Sequence, residues 1–417
     1  MLHGRTEIAG FQPKLYKTLQ KMANKTTSYT HEINGFGVVQ GEQCTHVMHP
    51  KPPRQRRPGP PVRHDPRYQN HLHPDLPLPH LTQAPPLDTP PSAPQHPAKD
   101  QGHPMAQRDI LLLGATGTIG RATLAELRAA GHRVTCLTRT PLPGPTLQAD
   151  VTNAADLTRA ITCQPFDAII SCLASRTGTA RDAWAIDHAA HLTALRAAQS
   201  AGIKQFTLLS AICVQKPLLP FQHAKLAFEA DLAASGLTFS IVRPTAYFKS
   251  LSGQLNRLRA GKPFLLFGDG RLTACKPISD ADLGRYLAQT LTDPALMNRI
   301  LPIGGPGPAL TPRETGDELF RLLGLKPRFK QVPVALLTTI IATLATLGHV
   351  SPRMKDKADL ARIGRYYATE SMLVWNPATG HYDADATPET GSDTLFDFYA
   401  KLVRGEVTVN RGDHAVF

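Results

Sequence analysis

The segment from Ile110 to Gly120 constrains the fold of this chain more than any other feature. The apolar run Ile110–Leu113 leads directly into Gly114–Gly120, in which three glycines recur at spacings of three. Such a run is typical of a strand buried on both faces of a parallel sheet. In a strand–turn–helix context, one glycine permits the turn, one lets the backbone approach a diphosphate, and one allows close helix–strand packing. The segment predicts a dinucleotide site with contacts from Gly114, Thr116, Gly117, Thr118, Ile119 and Gly120.

The alternation of strands and helices continues downstream. A helical stretch at Thr123–Ala130 is followed by a predicted strand at Arg133–Leu137, which completes a βαβ unit. Further strands are predicted at Ala168–Ser171, Phe206–Ser210 and Phe239–Val242, and further helices at Trp184–Ser200 and His223–Ser235. The pattern predicts an α/β fold with a doubly wound parallel sheet of the Rossmann type.

We predict three parts in the chain of 417 residues, and composition separates the first from the rest. Of its 37 prolines, 17 lie between Pro50 and Pro104, where apolar runs are scarce. We therefore expect residues 1–104 to be a disordered extension, dispensable for chemistry and not part of the native protein, which we expect to start at Met105. Residues 105–250 form the predicted cofactor-binding domain, and residues 251–417 form a substrate-binding region with additional helices.

Charge and cysteine spacing exclude several classes of function. The net charge of +13 is spread without a long basic block, whereas nucleic-acid binding concentrates charge in a patch or stripe. A solvated surface or an anionic small ligand accounts for this distribution. The six cysteines include no CxxC pair or zinc-ligand spacing, so we interpret them as reduced thiols of a cytosolic protein without a metal.

The most apolar helical stretch, Val334–Val350, is interrupted by four threonines and is shorter than the ~20 residues that a membrane crossing needs. We expect a buried helix there. A pigment-contacting helix or a helix at a membrane surface is the alternative.

Arg139 stands where the second strand ends. An acidic residue at that point would accept the ribose hydroxyls of NAD, whereas a guanidinium can pair with a 2′-phosphate. Arg139 therefore favours NADPH, and a solvated surface arginine is the alternative. The same architecture places Asp150 near the adenine.

The glycine spacing and strand order resemble the short-chain dehydrogenase/reductase superfamily, of its extended or atypical kind. That superfamily usually carries a Tyr-x-x-x-Lys pair, whose tyrosine exchanges a proton with a carbonyl or an alcohol. This chain has Phe221-Gln222-His223-Ala224-Lys225 instead. A phenyl ring has no exchangeable proton, so ordinary carbonyl–alcohol chemistry at this position is excluded. Lys225 remains as the catalytic candidate, able to hydrogen-bond the nicotinamide ribose.

Later stretches narrow the resemblance to the divinyl chlorophyllide a 8-vinyl-reductase family of chlorophyll and bacteriochlorophyll synthesis. These stretches are Ala211–Leu219, Gly268–Ser279, Leu301–Gly307 and Tyr366–Leu373, and the resemblance extends from about Arg108 to Leu402. It implies NADPH-dependent reduction of the 8-vinyl group of 3,8-divinyl (proto)chlorophyllide a to ethyl, without metal or flavin. A vinyl group conjugated to a macrocycle accepts hydride at its terminal carbon without forming an oxyanion, so no phenol is needed there.

The pigment contacts and the cellular setting remain expectations with alternatives. Arg271 or Lys276 could pair with the pigment propionate, His223 or His349 could approach its magnesium, and the Gly268–Ser279 stretch could be a hairpin without a ligand. A reductase of another conjugated alkene or quinone, or an NADPH-binding scaffold without turnover, would also suit the residues. We expect a bacterial cytoplasmic protein near photosynthetic membranes, with at most weak association with their surface, and leave the oligomeric state open.

Overall fold

A seven-stranded parallel sheet organises residues 107–409, the part of the chain that the computed structural model describes. Its strands are β1 (Asp109–Leu113), β2 (Arg133–Thr138), β3 (Thr146–Gln148), β4 (Ala168–Ser171), β5 (Gln205–Leu209), β6 (Thr238–Pro244) and β8 (Arg299–Ile303). Their order is β3-β2-β1-β4-β5-β6-β8, so the winding reverses between β1 and β4. The predicted doubly wound parallel sheet is confirmed. The expectations for residues 1–104, Met105 and Cys44 lie outside the described residues.

Burial on both faces explains the continuous apolar runs of the strands. Alternate side chains of a strand point to opposite faces. Leu111 and Leu113 belong to one core cluster, with Phe206 and Phe228, whereas Ile110 and Leu112 belong to another on the opposite face. Helices cover both faces, so neither set of side chains meets water.

The helices connect successive strands. The α-helices are Thr118–Ala129, Ala154–Thr162, Ala180–Ala183, His191–Ser200, Pro220–Ala233, Phe248–Leu251, Leu255–Arg259, Asp280–Gln289, Pro312–Leu322, Val334–Gly348, Pro352–Thr369 and Leu395–Arg404. The predicted helix Trp184–Ser200 contains a π-helical segment, Trp184–Ala190, and becomes α-helical at His191. Such wider turns frequently occur at functional sites.

The sheet does not end at the expected boundary near Ser250. The β8 strand pairs with β6 from Ser240↔Arg299 to Pro244↔Ile303, and the Asp280–Gln289 helix packs against the Thr118–Ala129 helix. Residues beyond 250 therefore complete the sheet and one of its covering layers. Pro302 is tolerated in β8 because this strand lies at the edge of the sheet.

The remaining strands form two small sheets of two strands each. The β7 strand (Phe264–Phe267) pairs in parallel with β9 (Phe329–Val332), so the Gly268–Ser279 stretch is not a hairpin. A short antiparallel pair is formed by β10 (Val374–Asn376) and β11 (His381–Asp383).

The prediction of a buried Val334–Val350 helix is wrong. In the observed helix, Leu337 and Ile340 are buried, but most of the other residues are partly or fully exposed. The helix packs against the Pro352–Thr369 helix instead of entering the core. Within residues 107–409, no helix combines the length and apolarity needed to cross a membrane.

Candidate functional site

The glycine loop at the end of β1 is closed by its own backbone. The Gly117 amide donates to the Gly114 carbonyl at 3.0 Å, and Gly114 has a φ of +76°, which favours glycine. A Cβ added at Gly114 would lie 2.6 Å from the Cys172 carbonyl carbon, and one at Gly120 only 2.1 Å from the Gly114 carbonyl oxygen. Both positions require glycine, because β1, β4 and the following helix approach one another closely there.

The Thr118–Ala129 helix begins at this loop, and no side chain caps the N–H groups of its first turn. Gly117 is its N-cap, and the first turn carries no acidic residue. The first N–H groups of a helix lack partners within the helix, and its dipole favours an anion at this end. Thr116 is exposed and Thr118 half-buried, while Ile119 and Gly120 are buried. The predicted loop residues therefore form one cradle suited to a diphosphate.

Arg139 and Asp150 lie at the same edge of the sheet as the glycine loop. Leu113 at the end of β1 pairs with Leu137, two residues before Arg139. The Arg139 side chain is exposed, and its carbonyl accepts a hydrogen bond from Gln148 Nε2 at 2.8 Å. The Thr152 amide and hydroxyl donate to Asp150 Oδ1, and these bonds, with a smaller effect of Arg139, hold the pKa of that carboxyl below its usual range.

Lys225 is buried, and its ammonium is already paired. Its Nζ lies 3.1 Å from Oδ1 of Asp187, a buried residue of the π-helical segment. Asp187 also accepts hydrogen bonds from the Ser175 amide at 3.2 Å and hydroxyl at 2.6 Å. Sequence reasoning missed Asp187; a carboxylate within an alanine-rich apolar stretch is the signal that could have indicated it.

The other residues of the altered motif support the fold. Phe221 is buried and packs beside Gly178 with Ile363. Gln222 accepts hydrogen bonds from the Leu218 and Leu219 amides and donates to the Cys213 carbonyl. His223 is exposed. Lys225 is the polar residue of this motif that reaches a buried charged partner.

A cavity of about 310 Å³ lies beyond the carboxyl ends of β5 and β6. Its lining is mostly apolar and includes Ala211, Cys213, Tyr247, Leu272, Tyr367 and Met372. Three of the four resemblance stretches, Ala211–Leu219, Gly268–Ser279 and Tyr366–Leu373, contribute to its wall. The fourth supports this wall from behind, because Gly304 and Gly305 pack against Lys276 and Pro277.

The structure distinguishes among the four candidate pigment contacts. Lys276 is buried, and its Nζ lies 2.5 Å from Glu389 Oε1, so it is unsuited to pair with a propionate. Arg271 is exposed beside Leu272, a residue of the cavity wall. His223 and His349 are exposed and do not line the cavity.

Lys249 is a further residue of the site that sequence reasoning missed. Its Nζ donates to the Thr118 hydroxyl at 2.8 Å, at the first residue of the helix that follows the glycine loop. Burial lowers the pKa of this half-buried lysine, and the nearby Asp280 opposes that effect. The contact joins residues 131 positions apart. The sequence signal that could have indicated Lys249 is a basic residue shortly after β6.

The sheet order and the glycine loop at its reversal point define a nicotinamide-dinucleotide-binding protein of the short-chain dehydrogenase/reductase type. A sequence profile described as NAD(P)H-binding matches residues 114–294. The fold is similar to that of the Escherichia coli NADPH-dependent quinone oxidoreductase QOR2 complexed with NADPH. That likeness has a TM-score of 0.52 at 19% identity and covers 70% of this chain and 99% of the other.

Curated relatives narrow this class to one family. The chain is 45% identical over 335 residues to divinyl chlorophyllide a 8-vinyl-reductase, chloroplastic, of Oryza sativa subsp. indica, covering 75% of this chain and 83% of the relative. It is 44% identical over 320 residues to the Arabidopsis thaliana protein of the same name, covering 71% and 77%. The chain belongs to the divinyl chlorophyllide a 8-vinyl-reductase family.

The same relatives correct the expected cellular setting. The prediction of a bacterial cytoplasmic protein is wrong, because the relatives at 44–45% identity are chloroplast proteins of plants. Reduced buried thiols misled this inference, since they are compatible with any reducing compartment. In the described part, Cys136, Cys213 and Cys275 are buried, Cys172 is half-buried and Cys163 is exposed.

Proposed function

We propose that the protein reduces the 8-vinyl group of a 3,8-divinyl chlorophyllide to an ethyl group, with NADPH as the hydride source. The observation that carries this proposal is the apolar cavity, whose walls combine three of the stretches in which the sequence resembles the family. Tyr247 lines this cavity and also packs against the core cluster that contains Ile119 of the glycine loop. The cavity and the cofactor cradle are therefore neighbours, as hydride transfer requires.

The cofactor-binding residues of the proposal follow the loop and the two strand ends beside it. Gly114, Thr116, Gly117, Thr118, Ile119 and Gly120 line the diphosphate, and N–H groups at the start of the Thr118–Ala129 helix bind it. Arg139 pairs with the 2′-phosphate of NADPH, and Asp150 borders the adenine. Lys249, fixed on Thr118, adds a positive charge beside the diphosphate.

Lys225 hydrogen-bonds the nicotinamide ribose in this proposal, and Asp187 orients it. Since Asp187 takes one hydrogen bond from the ammonium, other N–H donors of Lys225 remain for the ribose hydroxyls. The bound nicotinamide supplies a hydride. Lys225 acts by positioning the ring against the cavity, and the absence of a tyrosine at Phe221 agrees with a reaction that forms no oxyanion.

The substrate enters the cavity by the edge that carries the vinyl group. A volume of about 310 Å³ is at the small end of the range of roughly 300–1,000 Å³ for ligand pockets. It suits one edge of a macrocycle, with the charged propionate outside. Arg271, exposed beside the cavity wall, is the cation placed to meet the propionate, whereas Lys276 is already paired with Glu389.

Incubation of the protein with NADPH and 3,8-divinyl chlorophyllide a tests the proposal. We expect a blue-shifted Soret band, a product that has gained two hydrogen atoms, and stoichiometric oxidation of NADPH. The monovinyl pigment, which lacks the reactive group, is the matched control and should leave NADPH unchanged. Binding of NADPH without oxidation in the presence of divinyl pigment would instead indicate a scaffold without turnover.

A further inference from the structure

Reduction of a vinyl group needs a proton as well as a hydride, and Phe221 supplies none. The cavity-lining groups with a titratable proton are Cys213, Tyr247, Cys275, Tyr367 and Glu370. Glu370 accepts hydrogen bonds from Lys216 and Tyr382, and the Cys213 thiol lies 3.9 Å from the Tyr367 hydroxyl. The Cys275 thiol is directed to the Leu310 carbonyl at 3.8 Å. Tyr247 is the candidate whose position relates it to the cofactor.

Tyr247 lies between the cofactor cradle and the cavity. It follows β6 and forms a parallel bridge with Ile278, and the Phe248 amide donates to the Ile278 carbonyl. Its ring packs against the core cluster that contains Ile119 and Leu209. The backbone and the ring are therefore held from two sides.

The neighbours of Tyr247 relate it to the cofactor cradle. Tyr247 and Cys172 pack against the same core cluster. Cys172 follows β4, and its backbone adjoins Gly114 of the glycine loop. Two residues after Tyr247, Lys249 donates to the Thr118 hydroxyl at 2.8 Å. Tyr247 thus connects the wall of the cavity to the elements that carry the cofactor cradle.

We propose that the Tyr247 hydroxyl donates the proton that the internal carbon of the vinyl group receives; this inference rests on the proposed function. The terminal vinyl carbon accepts a hydride from the reduced nicotinamide, and the electron pair of the vinyl double bond delocalises into the macrocycle. The internal carbon then forms a bond to the phenolic hydrogen, and the O–H electron pair remains on Tyr247. Water returns a proton to the tyrosinate. The balance is one hydride and one proton added to the pigment.

Burial keeps Tyr247 protonated. It raises the pKa of the phenol above its ordinary value, so the hydroxyl carries its proton at neutral pH. The apolar wall limits protonation by bulk water. The proton is therefore delivered from one face of the vinyl group.

The substitution Tyr247→Phe tests the inference, because it removes the hydroxyl and retains the ring. We expect kcat to fall about 100-fold, with the dissociation constants of NADPH and pigment changed by no more than about twofold. Tyr286→Phe is the matched control, since it removes a hydroxyl from a half-buried tyrosine outside the cavity, and it should retain the wild-type kcat. If Tyr247→Phe keeps kcat within about threefold of wild type, the inference is overturned.

A second measurement separates proton delivery from a structural role. In D₂O, the wild type should place deuterium on the internal carbon in a single configuration. The residual product of Tyr247→Phe should contain both configurations, because solvent replaces the fixed donor. A single configuration formed by Tyr247→Phe would assign the donor elsewhere, with Tyr367→Phe as the next variant. If the wild type itself does not reduce the 8-vinyl group, the proposed function fails before Tyr247 is tested.

Discussion

Lys225 is the member of the Tyr-x-x-x-Lys pair that this chain retains, and its charge is buried. Asp187, which pairs with it, has a fully buried side chain and receives two further hydrogen bonds from Ser175. Burying two charges costs desolvation energy that their attraction only partly offsets. The pair therefore contributes orientation more than stability, which agrees with a lysine that positions the cofactor.

The variant Lys225→Met separates these contributions. It leaves the Asp187 carboxylate buried without its cation, so we expect a loss of about 3 kcal/mol in the free energy of unfolding, measured by urea titration. We expect turnover to fall more than about tenfold, because the cofactor loses the group that positions it. The double variant Lys225→Met/Asp187→Asn should recover most of the stability and none of the turnover. Recovery of both would mean that Lys225 acts through folding alone.

Arg139 is exposed at the end of β2, so its substitution should affect recognition more than folding. Arg139→Ala removes the proposed partner of the 2′-phosphate and should weaken NADPH binding by about 1.5–3 kcal/mol. NADH binding should change little. Arg196→Ala, at an exposed arginine on a helix, is the control that should alter neither affinity. Equal weakening of both cofactors would contradict phosphate recognition by Arg139.

At the scale of elements, the glycine loop joins β1, β4 and the Thr118–Ala129 helix within van der Waals distance. The Gly114 backbone touches the segment after β4, and Gly120 lies directly over the Gly114 carbonyl. The cradle therefore depends on how closely a helix approaches a strand. A single methyl group placed between them should displace the first turn of the helix and its N–H groups.

The variant Gly120→Ala tests this dependence. Its Cβ would lie 2.1 Å from the Gly114 carbonyl oxygen, so the loop must open. We expect the NADPH dissociation constant to rise at least about tenfold, measured by fluorescence titration, since donors to the diphosphate move apart. Gly131→Ala is the control: it places alanine at a φ of +84° with no atom within 4 Å. It should lower stability by about 1–2 kcal/mol and leave NADPH affinity unchanged.

At the scale of the whole molecule, buried polar groups couple the stability of residues 107–409 to pH. His191 is buried beside the site, where Ser171 Oγ and the Ile186 carbonyl each lie 2.8 Å from a ring nitrogen. Burial is the main cause that lowers the pKa of His191 to about 4. The folded protein therefore holds this histidine neutral at pH 7.

Because the pKa of His191 is lowered in the folded state, we expect the free energy of unfolding to fall in acid. The contribution of His191 is complete above the unfolded pKa of about 6.5 and is lost as the pH falls toward about 4, because the unfolded chain binds the proton first. We expect a loss of about 3 kcal/mol across this range. Urea unfolding at several pH values measures it. His191→Gln should be less stable at pH 7 and show a shallower pH dependence, whereas parallel curves for the two proteins would contradict the assignment.

The glycine loop, Arg139, Lys225 and the cavity all lie within residues 107–409. Deletion of residues 1–104 should therefore leave NADPH affinity and turnover close to those of the full chain. Steady-state kinetics of the two proteins measures this. A tenfold fall in turnover, or loss of folded protein, would show that the deleted residues support the site.

The sequence by itself determined the elements whose signal is local. A strand covered on both faces is mostly apolar, so β1, β2, β4, β5 and β6 were predicted within a few residues of their observed bounds. The glycine spacing determined the cradle because turn geometry and close packing depend on consecutive residues. The altered Phe221–Lys225 motif likewise excluded proton transfer by a tyrosine at this position.

Only the tertiary structure decided which distant residues meet. The pairing of Lys225 with Asp187 and that of Lys249 with Thr118 join elements far apart in the chain, and apolar periodicity does not report such contacts. For the same reason, the sequence did not predict β8, which completes the sheet from beyond the expected domain boundary. It also did not predict the cavity, whose walls come from three separate stretches. Hydrophobic patterning specifies which face of an element is buried, but the side chains opposite that face depend on how the whole chain packs.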